Sequence, residues 1–239
     1  MAPVTRLPLV AADRFAPGMA RQLARFREAL AAGMPRRGWK IGINVPEVLR
    51  RLDLPHPGVG WLDGRRVFAE GTEIPLRSGA RLHVEPEVAI RVSQTVAPGC
   101  STNFARSCID AVHPALEIVS YAHPVSGLDD VVANCMFHDA TVLGDRAPLE
   151  AARDLGRQWP ALRVGDRSAG PPRADLVPSD LGELVAFVAT YLAAFGESLE
   201  TGDLVLSGSF TASAAPLAAG EQIVAEFGPL GRVSAGVAG

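Results

Sequence analysis

The segment Arg81–Val92, RLHVEPEVAIRV, alternates so regularly that its pattern selects a β-strand. Successive strand side chains point to opposite faces. Leu82, Val84, Pro86, Val88, Ile90 and Val92 therefore share one face, and Arg81, His83, Glu85, Glu87 and Arg91 share the other. Glu85 and Glu87 thus point the same way, roughly 6.5–7 Å apart at the backbone, near enough for both carboxylates to lean onto one cation. Pro86 between them cannot donate a ladder hydrogen bond, which predicts an edge or a bulge here. Such places often adjoin active sites.

A second run, HPALEIVSY at 113–121, also reads as a strand, with Glu117 lodged between Leu116 and Ile118. A buried carboxylate needs a partner, because an unpaired buried charge is very costly. Three glutamates from two strands would make an all-oxygen, highly charged site, suited to Mg²⁺, Mn²⁺ or Ca²⁺ and not to a thiolate metal. On spacing alone, E-x-E also suits a solvated face. His83 shares that face, so a set of His83, Glu85 and Glu87 without Glu117 competes.

Around these strands the pattern is mixed. Met19, Leu23, Phe26 and Leu30 recur at helical spacing until Gly33 and Pro35 stop them. A short strand, Gly38 to Ile43, carries Lys40, and Pro46 opens a short helix with Val48, Leu49 and Leu52 on its apolar face. His56 to Gly60, with one proline and two glycines, is expected to be a loop, and a helix is expected around 103–112. The Pro-, Gly- and Arg-rich stretch 145–176 is hard to read beyond a hairpin at Gly165-Asp166. Asp180 and Glu183 are spaced as a capping box before a helix with Leu184, Phe187, Val188, Tyr191, Leu192 and Phe195 on one face, ending at Gly196. DLVLSGS, QIVAEF and GRVSAGV follow as strands. Few helices among non-alternating β segments predict an α+β fold with a mixed, strongly curved sheet.

Composition narrows the function. A net charge of −3 without a basic run disfavours nucleic acid and anionic lipid as partners. No stretch suits a signal peptide or a membrane span, which predicts a cytoplasmic protein. Cys100, Cys108 and Cys135 are odd in number and lack CxxC spacing, so they read as small hydrophobes. Lys40 is the single lysine among 23 basic residues. Arginine cannot lose its proton in a protein whereas a desolvated lysine can, so a chain that otherwise uses arginine has a chemical reason to keep Lys40.

The ordered motifs K-x-G (Lys40 to Gly42), E-P-E-V-A, A-L-E-I-V and G-D-L-V-L-S-G-S resemble the fumarylacetoacetate hydrolase superfamily, in particular its branch of 2-keto-4-pentenoate hydratases and 4-oxalocrotonate decarboxylases. The likeness spans Gly38 to Ala235. It implies a curved β-sheet roll of the fumarylacetoacetate hydrolase C-terminal type with flanking helices, formed by residues 38–239 behind an N-terminal helical appendage at 1–37. It also implies Glu85, Glu87 and Glu117 as ligands of Mg²⁺ or Mn²⁺, Lys40 in the active site, Ser207 and Ser209 against the substrate, and a homo-oligomer. The implied chemistry is that of a lyase: a small 2-oxo acid chelates the metal, which stabilises an enolate, while Lys40 adds charge stabilisation or shuttles a proton.

Two departures bear on the outcome. Hydratases of this branch carry P-D-x-G where this chain reads Pro57-Gly58-Val59-Gly60, so the carboxylate expected to serve hydration is absent at Gly58, which tilts toward decarboxylation. NCMFHDATVLG stands where V-A-D-N-A-S is usual, and His138 with Asp139 is the candidate replacement; a hydrogen-bonded core histidine is an equal reading of His138. The alternatives are a carbon–carbon hydrolase using a His–Glu pair, with His138 as its histidine, and a metal-binding homologue without turnover.

Overall fold

The computed structural model describes residues 12–77, 79, 81–122, 124–153, 155, 161–169 and 172–239. Five helices, α1 (Ala12–Ala31), α2 (Pro46–Arg51), α3 (Thr102–Ser107), α4 (Leu128–Ala133) and α5 (Leu181–Ala194), flank the sheets. The strands are β1 (Gly38–Gly42), β2 (Gly58–Trp61), β3 (Val67–Ala69), β4 (Glu73–Ile74), β5 (Leu82–Val92), β6 (Ile109–Ser120), β7 (His138–Leu143), β8 (Ala161–Val164), β9 (Arg167–Ser168), β10 (Leu204–Leu206), β11 (Ala215–Pro216), β12 (Gln222–Glu226) and β13 (Arg232–Val237).

The larger sheet runs β2-β1-β10-β5-β6-β7-β3, with β11 also on β5; the smaller runs β4-β13-β12-β8-β9. Both are mixed: β1/β10, β3/β7 and β4/β13 are parallel pairs in otherwise antiparallel surroundings. The larger sheet has to curl. Its end strands β2 and β3 are joined by only the residues between Trp61 and Val67, a reach of roughly 20 Å at full extension, whereas seven flat strands would put them about 29 Å apart. Curling brings Leu62 and Val67 from this link onto Ala89, Ala115, Leu143, Leu204 and Leu206, which form a small apolar cluster separate from the main core.

The main core takes the other face. It holds Phe15, Met19, Leu23 and Phe26 of α1 together with the apolar face of β5 and most of α5. The Asp180 carboxylate caps α5 by accepting the Gly182 N–H at 2.8 Å, and Gly196 ends the helix at φ +74°. The hairpin at Gly165-Asp166 forms as expected, with Val164 paired to Arg167.

Three expectations need correction. His56–Gly60 is not all loop, because β2 begins at Gly58 and pairs with β1. Its glycines permit close approach rather than a turn: a Cβ on Gly60 would lie 3.0 Å from Met136 Cε. The helix expected over 103–112 stops at Ser107, and β6 starts at Ile109, since Ile109, Ala111 and Val112 bury into the sheet. Pro86 lies on an interior strand without a bulge, paired with Leu116 of β6. Its nitrogen faces the other neighbour, where β10 has ended and β11 has not begun, and there the Pro86 carbonyl accepts from Phe210 N at 3.3 Å. The missing donor is harmless at that break.

Candidate metal centre and active site

Register brings the glutamates together. Glu85 on β5 is the direct partner of Glu117 on β6, and Glu117 is the direct partner of Thr141 on β7. Opposite residues of an antiparallel pair share a face with Cβ atoms roughly 5 Å apart. Glu87 follows on the same face, and carboxylate oxygens of Glu85, Glu87 and Glu117 all lie within 4.8 Å of one another. His83, the competing ligand, is outside this group; its ring packs edge-on against Tyr121. Glu87 and Glu117 are fully buried and Glu85 is half-buried.

Lys40 reaches this face from β1, whose partner β10 lies beside β5. Its Nζ donates to Glu117, 2.8 Å from Oε1 and 3.0 Å from Oε2, and to the Met136 carbonyl at 3.4 Å. Only 2% of Lys40 is exposed, so these contacts replace its hydration shell.

A bulge delivers His138. The β6/β7 register runs Ile118↔Ala140 and then Val119↔His138, leaving Asp139 as the extra residue. On a regular strand His138 and Thr141 would point to opposite faces. The extra residue rotates His138 back onto the carboxylate face, where Nδ1 lies 2.9 Å from Glu117 Oε1. Asp139 swings out and pairs with Arg66 and Arg77. The two residues therefore do not act together: His138 joins the cluster and Asp139 does not. The turn before β7 is strained, with Cys135, Met136 and Phe137 all at positive φ (50°, 48° and 69°). It holds the Met136 carbonyl on Lys40.

The Ser207–Ser209 segment approaches through its backbone. Gly208, at φ +85°, donates its N–H to Glu87 Oε2 at 2.9 Å. A Cβ there would come within 2.8 Å of the Asn44 amide nitrogen, so only glycine fits. The Ser207 hydroxyl accepts from Val88 N and donates to the Gly208 carbonyl, and the Ser209 hydroxyl is tied to Thr211. Both side chains brace the segment that presents Gly208.

The charges are uneven by design of the burial. Burial works against every carboxylate here, yet the Lys40 ammonium and the His138 hydrogen bond hold Glu117 far below the usual range, ionised. Burial and the neighbouring Glu117 charge push Glu85 up to about 7, and burial with Glu117 and Glu85 pushes Glu87 well up. Burial opposes the Lys40 charge as well, but Glu117, Glu85 and Glu87 outweigh it and raise its pKa. Lys40 therefore stays an ammonium. Fully ionised, three carboxylates and one ammonium sum to −2, which a divalent cation would cancel. Glu87 Oε1 is buried without a hydrogen-bond partner, and Glu117 Oε2 receives only the longer Lys40 contact. Hard oxygen donors, an orphaned acceptor and a residual −2 fit a hard divalent ion.

Residues 38–238 match the family described as fumarylacetoacetate (FAA) hydrolase C-terminal. The chain belongs to this family. Among curated proteins, this family member is 27% identical over 205 residues to a 2-hydroxyhexa-2,4-dienoate hydratase of Comamonas testosteroni, covering 84% of the chain and 76% of the relative. It is 28% identical over 204 residues to a 4-oxalocrotonate decarboxylase of a Pseudomonas species, covering 82% and 77%. Among solved structures, the fold matches 4-oxalocrotonate decarboxylase from Pseudomonas putida G7, complexed with magnesium and adipate, at TM-score 0.82 and 23% identity, over 90% of this chain and 83% of that one. The curled, mixed-sheet architecture is thus the one that its motifs imply.

Sequence reading of this fumarylacetoacetate hydrolase family chain missed three members of the site. The Gly208 N–H and the Met136 carbonyl act through backbone, which no side-chain pattern announces. Thr141 would have been found by aligning β7 with β6, but the bulge at Asp139 hides its register.

Proposed function

We propose that the chain is a divalent-metal-dependent lyase acting on a small 2-oxo or 2-hydroxydienoic acid. Glu85, Glu87 and Glu117 would hold Mg²⁺ or Mn²⁺, with Lys40 and His138 as the groups that handle charge and protons, and the Ser207–Ser209 segment beside the substrate. The observation that carries the reading is the buried trio of carboxylates with one ammonium and an orphaned Glu87 oxygen. The named activities of the hydratase and decarboxylase relatives support it, as does magnesium in the structural neighbour. A hard divalent ion supplies Lewis acidity toward a chelating 2-oxo carboxylate.

The chain's own residues divide the remaining work. Lys40, held as an ammonium, is a fixed positive charge that favours negative charge developing on the substrate. With Nδ1–H donated to Glu117, His138 keeps its Nε2 lone pair for taking a proton or, once charged, for giving one back. Gly58 cannot contribute: a Cβ there would lie 3.2 Å from Phe15 and 3.4 Å from Met136 Sδ, inside the core. Decarboxylation, which needs an electron sink and one returning proton, therefore suits this site better than hydration.

The His138–Glu117 contact favours one second reading, hydrolysis of a carbon–carbon bond by water that His138 activates. We also place residues 38–239 as the catalytic domain, with 1–37 as its appendage, in a cytoplasmic homo-oligomer. Among the described residues no helix is long and apolar enough to cross a membrane.

The test is ultraviolet absorbance of 2-hydroxydienoates with and without Mg²⁺, with CO₂ trapped. The expected result is Mg²⁺-dependent loss of the dienoate with release of CO₂ from a dicarboxylic one. No metal-dependent loss with any dienoate would refute the lyase; cleavage to two smaller acids, abolished by His138→Ala, would establish the hydrolase instead. Magnesium uptake should also depend on pH. Glu85 has its pKa at about 7, so below that pH protons compete for its carboxylate. Calorimetry should find affinity rising from pH 5.5 to 8 and protons released below pH 7; uptake independent of pH would remove Glu85 from the ligand set.

A further inference from the structure

Thr141 is fully buried, and its hydroxyl has no hydrogen-bond partner among the described residues. On β7 it lies between Glu117 of β6 and Val67 of β3. Val67 offers no polar side-chain atom. Glu117 takes its donors elsewhere: its Oε1 receives Lys40 and His138, its Oε2 receives Lys40, and the Thr141 hydroxyl is bonded to neither. A buried hydroxyl without a partner is destabilising, and valine has the same shape and suits a strand at least as well. Packing therefore gives no reason for threonine here. Two further orphaned atoms belong to the same face, Glu87 Oε1 and His138 Nε2. The bulge at Asp139 is what places His138 and Thr141 together on it.

We propose that Thr141 is a substrate-binding residue whose hydroxyl donates to an oxygen of the bound 2-oxo acid, on the side of Glu117 away from Glu85. This rests on the lyase reading above, because it takes the carboxylate face as the place where the substrate sits. Glu87 Oε1 would serve the cation, whereas Thr141, beyond Glu117 in the row, would supply a neutral donor to a substrate oxygen outside the carboxylate trio. His138 Nε2 lies on the same flank, so the oxygen held by Thr141 is placed for proton transfer.

The experiment uses the full chain, MgCl₂ and pyruvate as an unreactive 2-oxo acid, followed by calorimetry and thermal denaturation. Wild type should bind pyruvate only with Mg²⁺. Thr141→Val should weaken pyruvate binding about tenfold or more, leave Mg²⁺ binding unchanged, and hold or raise the melting temperature of the metal-free protein. Thr141→Ser should bind pyruvate within about threefold of wild type. Wild-type affinity for pyruvate in Thr141→Val would overturn the assignment while leaving the lyase intact. A lowered melting temperature in that variant would make the hydroxyl structural, and loss of Mg²⁺ binding would make it serve the cation; either result overturns the proposal. Failure of wild type itself to bind pyruvate with Mg²⁺ would remove the underlying reading and this assignment with it.

Discussion

Glu117→Gln should abolish Mg²⁺ uptake and destabilise the metal-free fold in the same protein. Among the described residues Glu117 is the only carboxylate in contact with Lys40, and it also receives His138. Replacing it by a neutral amide leaves a buried ammonium facing carboxylates that prefer to be protonated. Breaking a buried pair by removing one partner costs roughly 3–5 kcal/mol. Glu87→Gln makes the sharper comparison. Burial and its neighbours already hold Glu87 toward its protonated form, which glutamine imitates, and the amide oxygen could still accept from the Gly208 N–H. That variant should lose Mg²⁺ while keeping or gaining metal-free stability. Calorimetry and urea unfolding of both proteins decide the matter. Equal destabilisation by the two substitutions would mean that the charges are not divided as described, and Mg²⁺ binding by Glu117→Gln would remove Glu117 as a ligand.

The division between these two glutamates could not be read from spacing. Alternation alone puts Glu85 and Glu87 on one face, and the apolar flanks of Glu117 mark a buried carboxylate that needs a partner. What alternation lacks is register between strands, and register is what pairs Glu85 with Glu117 and excludes His83. The β7 contribution was less legible still. In CMFHDATVL a period of two separates His138 from Thr141, and only the extra residue at Asp139 reunites them. The glycines of Pro57-Gly58-Val59-Gly60 misled for a related reason. They are there because Phe15 and Met136 press against β2, and sequence cannot tell a glycine that turns from one that yields space.

The composition signal at Lys40 points to the other large effect. Lys40→Met should lower turnover of whichever dienoate wild type consumes by about 10²–10³, the range for removing a preorganised charge that acts on the transition state. It should also change stability in a way that depends on pH and metal. Glu85 has a folded pKa of about 7 against an ordinary glutamate value of 4.5, so its contribution is fully present below pH 4.5 and is lost as pH rises through 7. Lys40 opposes that rise, and it is the largest influence pulling Glu117 down. Without it both groups shift upward, so metal-free Lys40→Met should resemble wild type near pH 5 and fall progressively behind it toward pH 8. Saturating Mg²⁺ supplies positive charge to the same carboxylates and should close much of that gap without restoring turnover. Lys40→Arg should not restore turnover either. The slot is 2% exposed and shaped by Glu117 and the Met136 carbonyl around a compact ammonium, which a planar guanidinium does not match. A stability deficit independent of pH would reduce Lys40 to a packing role, and full activity in Lys40→Arg would show that only its charge matters.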